Sequence, residues 1–215
     1  MQRILFVLAV LFLFAAQLSA EELVVELRFE PTVVQPPPGK IVADVKNFKG
    51  VRIQPFTDKR SVGETFLGQV KLNGQVQTIQ SKTAVAGFIT DAFAKMFGEW
   101  GGIISPDGPL DFKGEITQFE FVENESYQAK IGVHFFLLGD RGRILWDGHS
   151  AGVVKGAGKA IGAENISALF SDLLRATYME MLEDDKLVGV WSGRVSNTYL
   201  IKDDASAAVS AKSGG

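Results

Sequence analysis

Two segments of the chain carry apolar residues at the spacing of an amphipathic helix, and three β-like segments lie between them. The helical segments run from Ser81 to Phe97 and from about Asn165 to Glu183. The β-like segments run from about 111 to 122, from 127 to 138 and from 143 to 149. A helix with one apolar face has to bury that face, and an antiparallel sheet offers a matching surface. We therefore expect an α+β fold, a two-layer sandwich with a mainly antiparallel sheet and both amphipathic helices on one face.

Shorter segments extend this prediction over one α+β domain, residues 21–202. Residues 23–29 predict a first strand, residues 36–39 a stiff connector, residues 50–56 a second strand, and Asn73-Gly74 the turn of a short hairpin or loop. Leu187 to Ile201 predicts a last strand. Residues 203–215 are small and polar, which is typical of a disordered tail.

The first twenty residues have the layout of a secretory signal peptide. Arg3 precedes an apolar stretch from Ile4 to Ala16, and Leu18-Ser19-Ala20 is a small-residue cleavage site directly before Glu21. The apolar stretch is shorter than the ~20 residues of a membrane span, and no later apolar segment reaches that length. We expect a periplasmic mature protein that begins at Glu21 and has no integral membrane span after signal cleavage.

Charge and cysteine content exclude several kinds of site. Apart from Arg3 in the leader, 21 basic residues stand against 25 acidic ones without a basic block, so nothing indicates nucleic-acid binding. The chain has no cysteine, which excludes disulfides, thiolate metal sites and a lipid on an N-terminal cysteine of the mature chain. We expect no cofactor and no lipid anchor.

Five motifs occur in an order and spacing that match a known family. They are Asp58-Lys59-Arg60 after an early strand, the helix from Ser81, Ser105-Pro106-Asp107-Gly108-Pro109-Leu110 before the next strand, Tyr127-Gln128-Ala129-Lys130, and a Gly-rich link into Asn165-Ile166. Over roughly residues 22–185 the chain resembles the YajG-type envelope lipoproteins of Gram-negative bacteria. The resemblance implies a periplasmic accessory domain without established catalytic residues. The chain departs from that family because it lacks the lipobox cysteine and continues beyond about Lys186.

Gly148-His149-Ser150-Ala151-Gly152 matches the G-x-S-x-G pattern of a hydrolase nucleophile elbow. The elbow needs a sharp turn between a strand and a helix, whereas Ser150 follows a hairpin strand and precedes a Gly-rich stretch. No histidine follows Ser150, although the order in these hydrolases is serine, acid, histidine. A serine hydrolase that uses Ser150 with His149 or His134 is therefore the weakest alternative, and we expect no catalytic residue and no enzyme.

The Gly-rich link, residues 152–162, is predicted to be a loop before the second helix. Its spacing of glycines and Lys159 departs from a Walker phosphate loop, in which Ser or Thr also follows the lysine. Backbone N–H groups, two lysines and a nearby helix N-terminus could still hold a small anion. The candidate anion-binding residues are Lys155, Gly156, Gly158 and Lys159. A small anionic ligand is thus the second functional alternative.

A two-residue turn at Asp140-Arg141 predicts a register for the last hairpin. In that register His134 lies opposite Asp147, and His149 lies diagonally on the same face, opposite Gly132. Two histidines and an aspartate could bind a metal or respond to pH, but one flat sheet face rarely provides convergent ligands. We expect a cross-strand polar pair and no metal site.

The same register divides the hairpin into an apolar face and a mixed face. The apolar face, predicted to lie under the helices, contains Ile131, Val133, Phe135, Leu137, Ile144 and Trp146. The candidate partner-binding residues on the mixed face are His134, Phe136, Leu138, Leu145, Asp147 and His149, beside Arg143. We expect this face to contact an envelope protein, a second subunit or the chain's own terminal segments, with the apolar side chains as anchors. The sequence therefore favours a non-enzymatic accessory or binding module of the cell envelope.

Overall fold

The computed structural model describes residues 22–32, 36–72, 74–158 and 162–194. The strands in these ranges are β1 (Leu23–Val25), β2 (Val51–Ile53), β3 (Thr57–Asp58), β4 (Phe66–Leu72), β5 (Gln75–Ser81), β6 (Leu110–Glu123), β7 (Ser126–Leu138) and β8 (Ile144–Ala157). The helices are α1 (Gly39–Lys46), α2 (Val85–Glu99), α3 (Ala163–Leu182) and α4 (Asp185–Trp191). Within the same ranges, no helix combines the length and the hydropathy that a membrane crossing requires.

The eight strands form one mixed sheet in the order β1-β5-β4-β6-β7-β8, with β2 and β3 along the part of β6 that β4 leaves free. The long pairings, β6 with β7 and β7 with β8, are antiparallel, and β4 and β5 form the predicted hairpin around Gly74. The parallel pairings of β1, β2, β3 and β4 cover only two or three residue pairs each. The α+β class and the mainly antiparallel sheet are confirmed.

Helices α2 and α3 lie against the sheet as the two apolar stripes predict. The ring of Phe93 on α2 stacks on Phe112 of β6 with centroids 4.4 Å apart. The hydroxyl of Tyr178 on α3 donates to the carbonyl oxygen of Ile89 on α2 at 2.9 Å. Burial raises the pKa of Tyr178 well above its ordinary value of 10.0, so this hydroxyl keeps its proton. One aromatic core therefore joins both helices to the sheet.

After β1, residues 26–32 run along α3 as an extended segment that we call the strap. The backbone N–H of Arg28 donates to Ser167 Oγ, and Ser171 Oγ donates to the carbonyl oxygen of Arg28. The N–H of Thr32 donates to Asp172 Oδ1. Side chains of α3 thus satisfy backbone groups that a neighbouring strand would otherwise have to satisfy. The predicted first strand is therefore shorter than expected, because its second half becomes the strap.

Helix α4 occupies the place where the sequence predicts the start of a strand from Leu187 to Ile201. The side chain of Asp184 accepts hydrogen bonds from the backbone N–H groups of Lys186 and Leu187, which is an N-cap. The helix also buries Trp191 completely, with its ring stacked on Phe48 at 4.6 Å. Capping and burial outweigh the strand preference of β-branched residues here, so the strand prediction is wrong for this part. Helix α1, Gly39–Lys46, lies in a segment for which the sequence predicted no helix.

Strand β8 continues to Ala157 through a segment that the sequence predicts as a loop. Its residues on the helix side include Gly148, Gly152 and Gly156. A Cβ atom at Gly148 would come within 2.3 Å of the Trp146 ring, and one at Gly156 within 2.2 Å of the Tyr127 ring. These glycines let aromatic rings lie directly on the strand, so the Gly-rich composition reflects close packing in a sheet.

A buried ion pair closes a gap along the edge of β6. Strand β3 pairs with residues 115–116 of β6 and β4 with residues 121–123. Between them, Nη1 of Arg60 donates to the carbonyl oxygens of Phe119 at 2.9 Å and Phe66 at 2.8 Å. The same guanidinium group contacts Asp58 at 2.6 Å, and the two side chains are only 5% and 11% exposed. Arg60 thus replaces the backbone hydrogen bonds that the gap lacks.

Several predictions lie outside the described residues. These are the signal peptide at 1–20, the disordered tail at 203–215, the second half of the predicted last strand at 195–201, and Lys159 of the anion-binding set.

Candidate functional site

The face of β6, β7 and β8 that points away from the core is called the outer face. Buried residues alternate with exposed or half-buried ones along these strands, and this alternation assigns each residue to a face. The outer face includes Asp111, Lys113, Glu115, Thr117, His134, Phe136, Leu138, Ile144, Asp147, His149, Ala151, Val153 and Lys155. Each of them is at least partly exposed.

The connection between β7 and β8 differs from the predicted two-residue turn. Asp140–Gly142 form a three-residue 3-10 turn, with Arg141 in the left-handed region at φ 58°. Leu145 then adds a β-bulge, because the register changes between Leu137 and Leu138. The longer turn and the bulge together shift the pairing by two residues.

This shift changes the partners of the two histidines but not their face. His134 lies directly opposite His149 instead of Asp147, and Asp147 lies opposite Phe136. A displacement of two residues preserves the alternation of a strand, so all four side chains remain on the outer face.

Before the bulge, two residues of β8 exchange faces relative to the prediction. Ile144, predicted under the helices, is 56% exposed. Leu145, predicted as an anchor of the mixed face, is buried, and its side chain lies against Gly139. The inserted bulge residue is the physical reason, so Leu145 does not belong to the outer face.

His134 and Asp147 form the cross-strand polar pair that the sequence predicts, now along a diagonal. His134 Nε2 lies 3.0 Å from Asp147 Oδ2, while His149 Nε2 lies 3.2 Å from Thr117 Oγ1. The two imidazole centroids are 6.3 Å apart. Each ring therefore directs its Nε2 to a different partner. Among the residues that the structure describes, no group of three or more His, Asp or Glu side chains is placed to hold a metal ion.

Phe136 is held in place at the centre of the outer face. The Nζ atom of Lys113, directly across on β6, lies 4.9 Å from the centroid of its ring. His134 lies two residues earlier on β7, and the centroids of its imidazole and the Phe136 ring are 4.2 Å apart. A cation above an aromatic face stabilises both groups, so Phe136 is an oriented and partly exposed aromatic side chain. Leu138 is half-buried next to it along β7.

Two carboxylates at the border of the outer face next to β2 and β3 already have a cationic partner. Arg52 makes two hydrogen bonds to Asp111, at 2.7 and 3.0 Å, and Gln54 adds a third at 2.9 Å. The hydrogen bond from Arg52 lowers the pKa of Asp111, although partial burial opposes the shift. Lys59 lies 3.9 Å from Glu115. The outer face therefore combines apolar side chains with two carboxylates, Asp111 and Glu115, that have cationic partners along the β2 and β3 border.

Ser150 lies in the middle of β8, buried and opposite Val133. The strand runs on beyond it, so the turn between strand and helix that defines a nucleophile elbow does not surround this residue. His149 is the next residue and points to the opposite face of the sheet, as alternation requires.

The described part of the predicted anion site is a strand end rather than a loop. Lys155 is exposed on the outer face, whereas Gly156 lies on the other face beneath Tyr127. Gly158 follows the strand with φ 79°. The loop geometry assumed for these residues is thus corrected, and anion binding by them stays a prediction.

Sequence reasoning missed Lys113, Glu115 and Thr117 of β6. The connection between β6 and β7 is short, and Glu123 pairs with Tyr127 beside it. Counting back from there would place Lys113 opposite Leu137, under the helices. A register shift between Ile116 and Gln118 places it opposite Phe136 instead. The short turn could have predicted the register near Glu123, but the bulge changes that register before Lys113 and moves this residue to the outer face.

A cleft of about 600 Å³ lies on the helical side, between the strap and the start of α3. Its lining includes Glu26, Arg28, Glu30 and Glu164. Hydrogen bonds from Lys82 and Arg28 lower the pKa of Glu26 to about 2, so this carboxylate is charged at neutral pH. Three carboxylates around one arginine do not favour an anionic ligand.

No protein-family model matches the chain, and no curated protein matches its sequence. Solved structures with a similar fold do exist. Protein XCC0632 from Xanthomonas campestris, described with the family model DUF330, has a TM-score of 0.52 and 12% identity. That similarity covers 81% of this chain and 100% of the other chain. At such low identity it supports the fold alone.

Two further solved structures have a similar fold with lower TM-scores. A protein described only as uncharacterized has a TM-score of 0.49 and 8% identity, with coverage of 76% of this chain and 99% of that one. The PelC dodecamer from Paraburkholderia phytofirmans has a TM-score of 0.39 and 11% identity, with coverage of 67% and 92%.

Proposed function

We propose that this chain is an exported accessory protein of the bacterial cell envelope that binds a protein partner through its outer face. The single observation that carries the proposal is Phe136, a partly exposed aromatic side chain in contact with both Lys113 and His134 on the outer face. The proposal assigns the protein no catalytic activity. It also makes the chain a relative of the YajG-type envelope proteins that lacks their lipid anchor.

The physical argument concerns the cost of removing water from the face. An unpaired charge is expensive to bury at an interface, whereas a charge that already has a partner gives up less. The Asp111 carboxylate is paired with Arg52, and the Asp147 carboxylate lies 3.0 Å from Nε2 of His134, before any partner arrives. Aromatic side chains at the centre of such a patch contribute most to binding. An oriented Phe136 thus has the properties of a binding anchor.

Export follows from the leader in the same proposal. A chain without cysteine cannot receive a lipid at an N-terminal cysteine, so the mature protein would be free in the periplasm. The outer face would then be available to membrane-attached or soluble envelope proteins.

Phe136→Ser should abolish partner binding because it removes the central anchor without altering the helix-covered core. Tagged wild-type protein and variant would be expressed in the source cells, cross-linked in the envelope and purified, and their co-purified proteins compared by quantitative mass spectrometry. We expect at least a tenfold loss of the specific partner, since truncating an aromatic hot spot costs about 2 kcal/mol or more.

Val76→Ser is the matched control, because Val76 is an exposed aliphatic residue on β5, separated from β6 by β4. It should retain the partner at the wild-type level. Equal recovery with the Phe136 variant and wild type, when both have unchanged thermal stability, would contradict the proposed binding face.

A further inference from the structure

Strand β8 forms one end of the sheet. It pairs with β7 from Ile144 to Ala157, and its other side pairs with no strand in the described ranges. About half of its backbone N–H and C=O groups therefore point away from the sheet. A row of such groups is a template for pairing with another strand.

The features that usually protect an edge strand are scarce in β8. From Trp146 to Ala157 it contains no proline and no bulge, and its only cation is Lys155. Val153 is 56% exposed in the middle of this stretch. The opposite end strand of the sheet, β1, has only three residues, and short length is itself a protection.

We propose that β8 pairs antiparallel with β8 of a second copy of this chain, across a two-fold axis at Ala151. Antiparallel pairing of identical strands satisfies two-fold symmetry, so the same surface serves both partners. In this register Ala151 lies opposite itself, His149 opposite Val153 of the second copy, and Asp147 opposite Lys155 of the second copy.

Charge selects this register among its neighbours. The axis at Ala151 creates two Asp147–Lys155 pairs, one on each side, and opposite charges directly across strands are stabilising. An axis at Ser150 would place Asp147 opposite Val153, and an axis at Gly152 would place His149 opposite Lys155. Lys155 forms no ion pair within the described part of the chain, so the second copy would supply one.

Pairing would also protect apolar surface and join the two outer faces. Residues directly opposite in an antiparallel pair lie on the same face, so the exposed side chain of Val153 would pack beside His149 of the second copy. The two sheets would form one continuous sheet with both Phe136 side chains on the same side. This inference concerns the edge of the sheet and does not depend on what binds the outer face.

A single engineered cysteine tests the pairing, because the chain has no cysteine of its own. In the mature full-length chain, Ala151→Cys should form an intermolecular disulfide under mild oxidation. Directly opposite residues have Cα atoms ~4.5–5.5 Å apart, which is within the range of a disulfide. Val153→Cys is the control, since two copies of this residue would lie about 13 Å apart along the strands. Efficient cross-linking of the Val153 variant instead of the Ala151 variant would overturn the proposed register.

Charge reversal tests the ion pairs through the dimer dissociation constant, measured by analytical ultracentrifugation. Lys155→Glu should weaken the dimer about tenfold or more, because it places two pairs of like charges across the axis. Adding Asp147→Lys to the same chain should restore most of the affinity. A double variant as weak as the single one would overturn the Asp147–Lys155 contact.

Two results would overturn the dimer as a whole. One is a wild-type mature chain that remains monomeric at the highest soluble concentration. The other is a dimer that forms only after residues 195–215 are deleted, which would mean that the chain's own C-terminal segment covers the edge.

Discussion

At the scale of single residues, the buried pair of Arg60 and Asp58 is the most demanding feature of the fold. A nearly buried guanidinium group is acceptable because Asp58 and the carbonyl oxygens of Phe66 and Phe119 receive its hydrogen bonds. Loss of one partner would leave the other charge buried without compensation, which is strongly destabilising. Asp58-Lys59-Arg60 is also one of the motifs of the family resemblance, and the structure gives it a structural role.

Arg60→Met should lower the free energy of unfolding by about 3–5 kcal/mol, because it leaves the buried Asp58 carboxylate without its cationic partner and two carbonyl oxygens without their donor. Urea denaturation at pH 7 followed by tryptophan fluorescence measures the change. Lys59→Ala is the control, since Lys59 is half exposed and its contact to Glu115 is long at 3.9 Å. It should change stability by no more than ~0.5 kcal/mol. Similar values for both variants would contradict a role of the pair in stability.

The difference in free energy of unfolding between wild type and Arg60→Met should become smaller as the pH is lowered. Burial raises the pKa of Asp58, but the hydrogen bonds from Arg60 outweigh burial and place it below its ordinary value of 3.8. A lowered folded pKa gives stability that is present above pH 3.8 and is lost as the pH falls through the folded value. The gap between wild type and Arg60→Met should therefore shrink below about pH 4. A gap that widens on acidification would refute this assignment.

The candidate site could be predicted from the sequence only in part, and the reason lies in two bulges. Alternation along β7 correctly placed His134, Phe136 and Leu138 on one face. Leu145 was misplaced because a bulge carries no reliable sequence signal. The bulge in β6 likewise hid Lys113, whose contact with Phe136 depends on register. Side chains within one strand were thus predictable, whereas their partners across strands were not.

At the scale of elements, the glycines of β8 are the feature with a direct experimental consequence. Gly156→Val should lower the free energy of unfolding by about 1–3 kcal/mol, because its Cβ would meet the Tyr127 ring at 2.2 Å. Thermal or urea unfolding measures the loss. Ala157→Val is the control, since Ala157 is the exposed next residue of the strand. In a chain that also carries Tyr127→Ala, the cost of Gly156→Val should fall; an unchanged cost would show that the ring is not the obstacle.

Helices with a long, regular apolar stripe could be predicted from the sequence, whereas a short helix without such a stripe could not. The apolar stripes predicted α2 and α3 to within a few residues. Helix α4 has only seven residues, and its capping residue Asp184 is the local signal that the strand prediction overlooked. Burial of Trp191 in the common core decides its conformation, and such tertiary contacts are invisible to local pattern.

At the scale of the whole molecule, the predicted leader does not overlap the described strands and helices. Strand β1 begins at Leu23, two residues after Glu21, where the mature chain is expected to start. Cleavage after Ala20 would therefore keep β1 and the strap intact, whereas cleavage only a few residues later would remove β1.

We expect the protein isolated from its source cells to begin at Glu21 and to be released by osmotic shock with the periplasmic fraction. Intact-mass analysis gives the N-terminus, and a cytoplasmic marker enzyme checks the fractionation. The variant Ala20→Arg, which replaces the small residue before the cleavage site, should retain the leader and stay with the membrane. A wild-type mature chain that begins elsewhere, or that sediments as an integral membrane protein, would contradict the expected processing.

The strap bonds to helix α3, which lies about 140 residues further along the chain. Arg28 and Thr32 emerge first from a ribosome or a translocation channel, but their partners Ser167, Ser171 and Asp172 emerge 139 to 143 residues later. Until then the backbone groups of Arg28 and Thr32 lack the side chains of α3 to which they bond in the fold. Completion of the fold is thereby tied to the arrival of the last third of the chain. In the export proposed above, the strap can therefore dock on α3 only after the C-terminal quarter of the chain has begun to arrive.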